Sequence, residues 1–195
     1  ESRRATKDRS AAPRSPAVRE QPEVTRMETP LVLVNARDDA THREWLKHVY
    51  AFYLHDLSPF AKDEYRLSAA GRWEPDHLPY WLSQPFCHPL VLVRRSVPIG
   101  FAFVGRRPFP FLSEDVEFRL SEFFVLRALR RSGLGREAAN AVFAHFSGAF
   151  ELTVLGDNAP ALAFWRTVLP SAAASPVRES TARGLVRFTF ATGPA

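Results

Sequence analysis

Between Phe123 and Phe146 the chain reads FFVLRALRRSGLGREAANAVFAHF. An apolar, β-forming run passes through a turn with glycines at 133 and 135. A stretch with Ala139, Val142, Phe143 and Phe146 on one helical stripe follows. A strand that runs through such a turn into an amphipathic helix commits the chain to a sheet with helices packed on it. The turn also has a chemistry. A helix N-terminus leaves backbone N–H groups without partners and carries partial positive charge. Glycine lets a ligand approach the backbone, and Arg130, Arg131 and Arg136 add charge at the same point. Those features suit a pyrophosphate. No Gly-Lys-Ser/Thr follows, so this is not a Walker A loop. The third glycine and the later acidic residue of the dinucleotide fingerprint are also missing. A turn that merely connects strand to helix fits the same letters.

The flanking sequence predicts a mixed α/β order, β-α-β-β-β-α-β-α-β. Leu31–Asn35 reads as a short buried strand. A helix follows over about 39–57, with Leu46, Val49, Tyr50, Tyr53, Leu54 and Leu57 on one stripe, ended by Ser58-Pro59. Residues 58–88 read as irregular but rich in aromatics (Tyr65, Trp73, Tyr80, Trp81, Phe86), with short helical turns near 63–67 and 75–83. A connection of this length inside a compact domain is usually functional. Strands at 90–93 and 98–105 flank a hairpin turn at Arg94–Val97, and a longer strand covers 115–126. After the second helix, about 133–147, come a strand at 151–155 and a helix opened by Asp157 or Asn158 with Pro160 in its first turn. A last strand covers 185–190.

The long strand changes phase. Val116, Phe118 and Leu120 alternate with Glu117 and Arg119, whereas Phe123 to Leu126 are all apolar. A β-bulge near Ser121–Phe124 produces such a change, as does burial of both faces. Glu122 interrupts the apolar run at this point. A carboxyl there suits a general base with a perturbed pKa, and equally a solvent-facing or arginine-paired glutamate. Glu117 is the reserve candidate.

Composition narrows the function classes. The net charge is +5, but residues 1–29 hold 7 Lys/Arg against 5 Asp/Glu, so the remainder carries only +3. Nucleic acid is therefore the weakest partner class. Residues 1–29, rich in Arg, Ala, Pro and Ser, read as a disordered basic tail or linker, with 30–195 as one domain. Met27, the only methionine, is a candidate functional start. The N-terminus has no apolar signal core, and no window approaches the ~18 apolar residues of a membrane span. Cys87 is the only cysteine, which with these features suggests a cytoplasmic protein. It reads as a packing residue, and no metal is expected, because the six histidines lack ligand spacing. His48 and His55, for instance, lie about 10 Å apart by helical rise.

Two segments together resemble the GNAT superfamily of N-acetyltransferases. VLRALRRSGLG is similar to its first motif, with Arg130, Gly133 and Gly135 matching. ELTVLGDNAPALAFW is similar to the second, with Asn158, Ala161 and Phe164 in place. The upstream segments YLHDLSPF, PYW and VPIGFAFV resemble a bacterial branch. The resemblance implies a mixed, mostly antiparallel central sheet whose central strands splay apart between flanking helices, the acyl-CoA N-acyltransferase fold. It implies acetyl-CoA as acetyl donor. Backbone groups of Phe124, Val125 and Leu126 would pair with the pantetheine arm. The turn of Arg130, Arg131, Ser132, Gly133, Leu134, Gly135 and Arg136 would hold the pyrophosphate, and Asn158 would contact the coenzyme.

Acetyl transfer needs a neutral amine, a polarised thioester carbonyl and a proton for the departing thiolate. Glu122 is the candidate base and the N–H of Val125 the candidate carbonyl donor. Trp165 stands where many members carry a proton-donating tyrosine and reads as a core residue. That leaves the thiolate to water, to a hydroxyl such as Tyr50, Tyr53 or Tyr80, or to depart unaided. Tyr53, Asp56, Trp73, Tyr80 and Trp81 are expected to line the acceptor pocket, Asp56 either attracting a cationic amine or capping its helix. The expected acceptor is a primary amine, read as a small molecule. The alternative function is a non-catalytic acyl-CoA-binding sensor, and a homodimer is left open.

Overall fold

The computed structural model describes residues 30–61 and 64–193; the expected 1–29 tail lies outside them. Strand β1 (Val32–Asn35) leads to helix α1 (Ala40–Ala61), then to a small hairpin, β2 (Arg66–Leu67) and β3 (Trp73–Glu74), and to α2 (Leu78–Ser83). β4 (Cys87–Arg94), β5 (Val97–Arg106) and β6 (Phe118–Val125) follow. A 3-10 turn at Arg127–Leu129 precedes α3 (Leu134–His145). β7 (Gly148–Leu155), α4 (Ala159–Ala172), β8 (Arg178–Ala182) and β9 (Leu185–Thr192) complete the chain.

Seven strands form one sheet in the order β1-β4-β5-β6-β7-β9-β8. Every neighbouring pair is antiparallel except β6 and β7, which are parallel and share only Phe118–Leu120 opposite Phe150–Leu152. Beyond Leu120 the two strands part, as the resemblance implied. The sheet has an apolar layer on each face. Ile99, Ala102 and Val104 of β5 pack with α3 and α4, while Phe101 and Phe103 pack with α1 and α2. Strand alternation separates Ala102 and Val104 from Phe101 and Phe103. Ile99 joins the first set because the register shifts there: Leu92 pairs with Gly100 and Val93 with Pro98, which leaves Ile99 as the extra residue.

The change of phase in β6 has both of its proposed causes. Phe103 pairs with Glu122 but Val104 pairs with Leu120, so Ser121 is the extra residue of a bulge. Before the bulge Phe118 and Leu120 face α3 and α4; after it Phe123 and Val125 do. Phe124 is buried on the opposite face. The bulge is what turns Glu122 toward the α1–α2 side.

Three local expectations are corrected. Helix α1 does not stop at Leu57 but runs through Pro59 to Ala61. Pro59 cannot donate to the carbonyl of His55, and the Ser58 hydroxyl takes that bond instead at 2.9 Å. The expected helical turn near 63–67 falls partly outside the described residues, and Arg66–Leu67 are strand. Strand β8 was not expected, because RESTA is exposed throughout and carries no apolar alternation. Its hairpin with β9 turns on Arg183 and Gly184, both at positive φ, and Arg166 of α4 grips Glu179 at 2.6 and 3.1 Å.

Candidate active site

Immediately past the point where β6 leaves β7, a cleft of about 740 Å³ opens. Tyr53 of α1, Tyr65, and Tyr80 and Trp81 of α2 wall one side. Phe109 and Phe111, from the loop between β5 and β6, close another. Ser121, Glu122 and Phe123 of β6, Val154 of β7, and Asn158, Ala161 and Trp165 at the start of α4 form its inner surface.

Glu122 is the buried acid of this cleft, 9% exposed. The Tyr50 hydroxyl donates to its Oε1 at 3.0 Å, whereas Oε2 has no partner among the described residues. Burial pushes the carboxyl up to about 8; the Tyr50 bond and the Trp81 indole beside it favour ionisation without overcoming that cost. Near neutral pH the group can therefore both hold and release a proton. Burial and the Glu122 charge push the Tyr50 and Tyr53 phenols up, so both stay protonated. Tyr50, weighed as an acid for the thiolate, is committed to Glu122 instead. Tyr53 and Tyr80 remain at the cleft wall.

The register corrects the expected main-chain set. The N–H of Leu126 is taken by the Ile99 carbonyl at 2.9 Å, which makes Phe101 and Phe124 the next hydrogen-bonded pair. Phe124 and Leu126 thus spend their main-chain groups on β5. Those of Phe123 and Val125 point toward the gap left by β7, and Phe123 was not among the expected residues. The Val125 carbonyl is itself taken by Arg130 Nε at 2.8 Å, leaving its N–H directed at the gap.

The glycine-rich turn opens α3 as the pattern predicts. Gly133 is the residue before the helix, at φ 88, with nothing within 4 Å of where a side chain would start. Arg131, at φ 62, and Ser132 are exposed beside it. Among the described residues the N–H groups from Arg131 to Gly135 meet no backbone acceptor. The two glycines differ in role. A Cβ on Gly135 would sit 3.2 Å from the Phe164 ring, so this glycine serves the packing of α3 on α4. Arg130 is also re-read. Besides Val125 it bonds Asp56 at 2.5 Å and lies over the Phe124 ring at 5.2 Å, tying the end of β6 to α1.

That pair corrects the reading of Asp56: its carboxylate holds Arg130 and is absent from the cleft lining. Trp73 is likewise absent; it pairs with Leu67 across the β2–β3 hairpin and lies against His55. Glu117, the reserve base, accepts from the Ala149 N–H at 3.1 Å, away from the cleft. Asn158 caps α4, accepting from the Ala161 N–H at 3.2 Å, and faces the cleft. Trp165 is buried among Phe123, Phe143 and Phe164, as its helix stripe indicates. Cys87 is fully buried, its thiol pushed up to about 11 by burial.

Sequence reasoning missed a second buried acid. Glu151 on β7 is fully buried and accepts from Ser113 N–H and Oγ, Arg119 and Arg187 at 2.7–3.2 Å. It stands inside ELTVL, whose apolar neighbours gave no sign that its partners would come from β6, β9 and a loop. Among the described residues no group of three or more His, Cys, Asp or Glu is placed to hold a metal ion, and no helix is long and apolar enough to cross a membrane.

The family described as "Acetyltransferase (GNAT) family" matches residues 49–168. No curated protein sequence matches the chain. Among solved structures, an acetyltransferase from Thermus thermophilus is 18% identical with a TM-score of 0.57, over 85% of this chain and 99% of that one. A GNAT-family protein from Bacteroides thetaiotaomicron is 13% identical with a TM-score of 0.52, over 83% and 86%. A CoA-dependent acyl-homoserine lactone synthase, BjaI, solved with MTA, is 13% identical with a TM-score of 0.51, over 83% of each chain.

Proposed function

The chain belongs to the GNAT family of acetyltransferases, and from that premise we propose that it uses acetyl-CoA to acetylate a primary amine of a small molecule, with Glu122 as the base. One observation carries this reading. Strand β6 parts from β7 after Leu120, and the side chain turned into the resulting cleft by the bulge is a buried carboxyl with an unpaired oxygen.

The residues present fit the donor. The N–H groups from Arg131 to Gly135 and the open space at Gly133 suit a diphosphate. The main-chain groups of Phe123 and the N–H of Val125 suit an extended arm laid along β6 as an added strand. The donor supplies an activated acetyl group. The Val125 N–H is placed to polarise its carbonyl, and Glu122 takes the proton that the amine must lose. The walls of the cleft hold amine and acetyl group together, which supplies much of the rate.

Acetyl-CoA should raise the melting temperature of the protein, because a ligand that prefers the native state stabilises it by about 2.7 kcal/mol at 100 times its Kd. Thiol release on adding an amine completes the test. A melting temperature unmoved by saturating acetyl-CoA would overturn the proposal.

A further inference from the structure

The cleft holds an asymmetry that bears on which amine it accepts. Its walls are aromatic: Tyr53, Tyr65, Tyr80, Trp81, Phe109 and Phe111. Phe111 stands at 66% exposure, an apolar ring left in water where the cleft opens. On the inner surface, two consecutive residues each carry a side-chain oxygen without a partner among the described residues, Ser121 Oγ and Glu122 Oε2. Both belong to the bulge. Buried polar atoms without partners are costly, and a ligand N–H group in the cleft would satisfy them.

The other charges do not favour an acid on the same molecule. Arg119 lines the cleft, but its guanidinium is spent on Glu151, Thr153 and the Phe111 carbonyl. Its charge is met by a carboxylate at 3.2 Å that is itself fully buried. The carboxyl side chains lining the cleft are Glu122 and Glu64. A polycationic sugar, with several ammonium groups to neutralise, would find too few.

Resting on the transferase reading above, we infer that the acceptor is an arylalkylamine: an aromatic ring joined by a short alkyl chain to a single primary amine, with no carboxylate. The ring lies among the cleft aromatics, and the amine sits between Ser121 Oγ and Glu122 Oε2. The amine nitrogen bonds to the acetyl carbon as the carbon–sulfur bond breaks. The amine gives its proton to Glu122 and the thiolate takes one from water. The products are the N-acetylated amine and free coenzyme A thiol.

The test uses the full chain with acetyl-CoA and four probes: 2-phenylethylamine, phenylalanine, n-butylamine and kanamycin. Phenylethylamine should exceed each of the others in kcat/KM by about tenfold or more, the scale of one well-buried ring. Phe111→Ala should narrow its ratio over butylamine at least about threefold. Ser121→Ala should raise the phenylethylamine KM while leaving the acetyl-CoA KM and the pH profile in place. A preference for phenylalanine or kanamycin, or equal rates for phenylethylamine and butylamine, would overturn this inference and leave the transferase reading intact. Coenzyme binding without turnover of any amine would overturn both.

Discussion

Two buried carboxyls stand on the strands that part at the middle of the sheet, and their surroundings are opposite. Glu151 on β7 is fully buried, and each of its oxygens accepts two hydrogen bonds. Two of its partners are arginines. Glu122 on β6 has one hydroxyl on one oxygen and nothing on the other among the described residues. A buried charge with two guanidinium groups and a loop around it is a structural tie. A buried acid left half-bonded in a cleft is a poor tie and a good proton acceptor. Burial alone does not separate a structural acid from a chemical one; the number of bonds on its second oxygen does.

The comparison can be broken most directly through Glu122. Glu122→Gln should lower the acetylation rate by roughly 10²–10⁴-fold at neutral pH. It should also abolish the rise of kcat/KM with pH through about 8, while the shift in melting temperature caused by acetyl-CoA survives. A rate within twofold of wild type would remove Glu122 from the chemistry.

Glu151→Ala should act on the fold instead. It leaves Arg119 and Arg187 without their shared partner, and loss of one member of a buried ion pair costs about 3–5 kcal/mol. Urea denaturation should show that loss, with the rate per folded molecule falling far less than in Glu122→Gln.

A third measurement sharpens the contrast through pH. The Glu122 carboxyl is raised from 4.5 to about 8 in the folded chain. Folded and unfolded states both hold the proton below pH 4.5. Between 4.5 and 8 only the unfolded state gives it up, so this group lowers stability progressively over that window, and the loss is complete above 8. Glu122→Gln should therefore be more stable than wild type above pH 8, by on the order of a few kcal/mol, and lose that advantage toward pH 4.5. An advantage independent of pH would contradict the raised carboxyl.

The smallest effect belongs to the rim of the Glu151 network. Asp115, 77% exposed, meets Arg187 at 3.4 Å. Asp115→Asn should change stability by less than about 1 kcal/mol, within the range of solvent-exposed pairs. A larger loss would mean that the network depends on its surface member.

Much of this geometry was legible in the sequence, and the exceptions have physical reasons. The alternation in VEFRL and its loss at FFVL located the bulge, because side-chain period and strand face are the same fact. The glycine spacing located the turn but not the division of labour between Gly133 and Gly135. That division depends on Phe164, 29 residues away in sequence. Asp56 was expected in the pocket as part of the face of the first helix and Trp73 as part of the aromatic loop, but Arg130 and the β2–β3 hairpin claim them. Strand β8 was illegible because an edge strand exposed on both faces needs no apolar period. Glu151 was passed over because its partners lie 32, 36 and 38 residues away along the chain.

The parting of β6 and β7 has one more consequence. Among the described residues, three strand pairs and the Glu117 N–H to Ala149 carbonyl bond beside them are the main-chain stitches between β1-β4-β5-β6 and β7-β9-β8. The molecule is therefore two half-sheets joined by a short seam, with α3 and α4 spanning it on one face. On the proposed reading, a donor arm laid along the open part of β6 would do the sewing that the chain omits. The donor would then serve as a removable rib of the sheet, and the stiffness of the whole would rise and fall with each turnover.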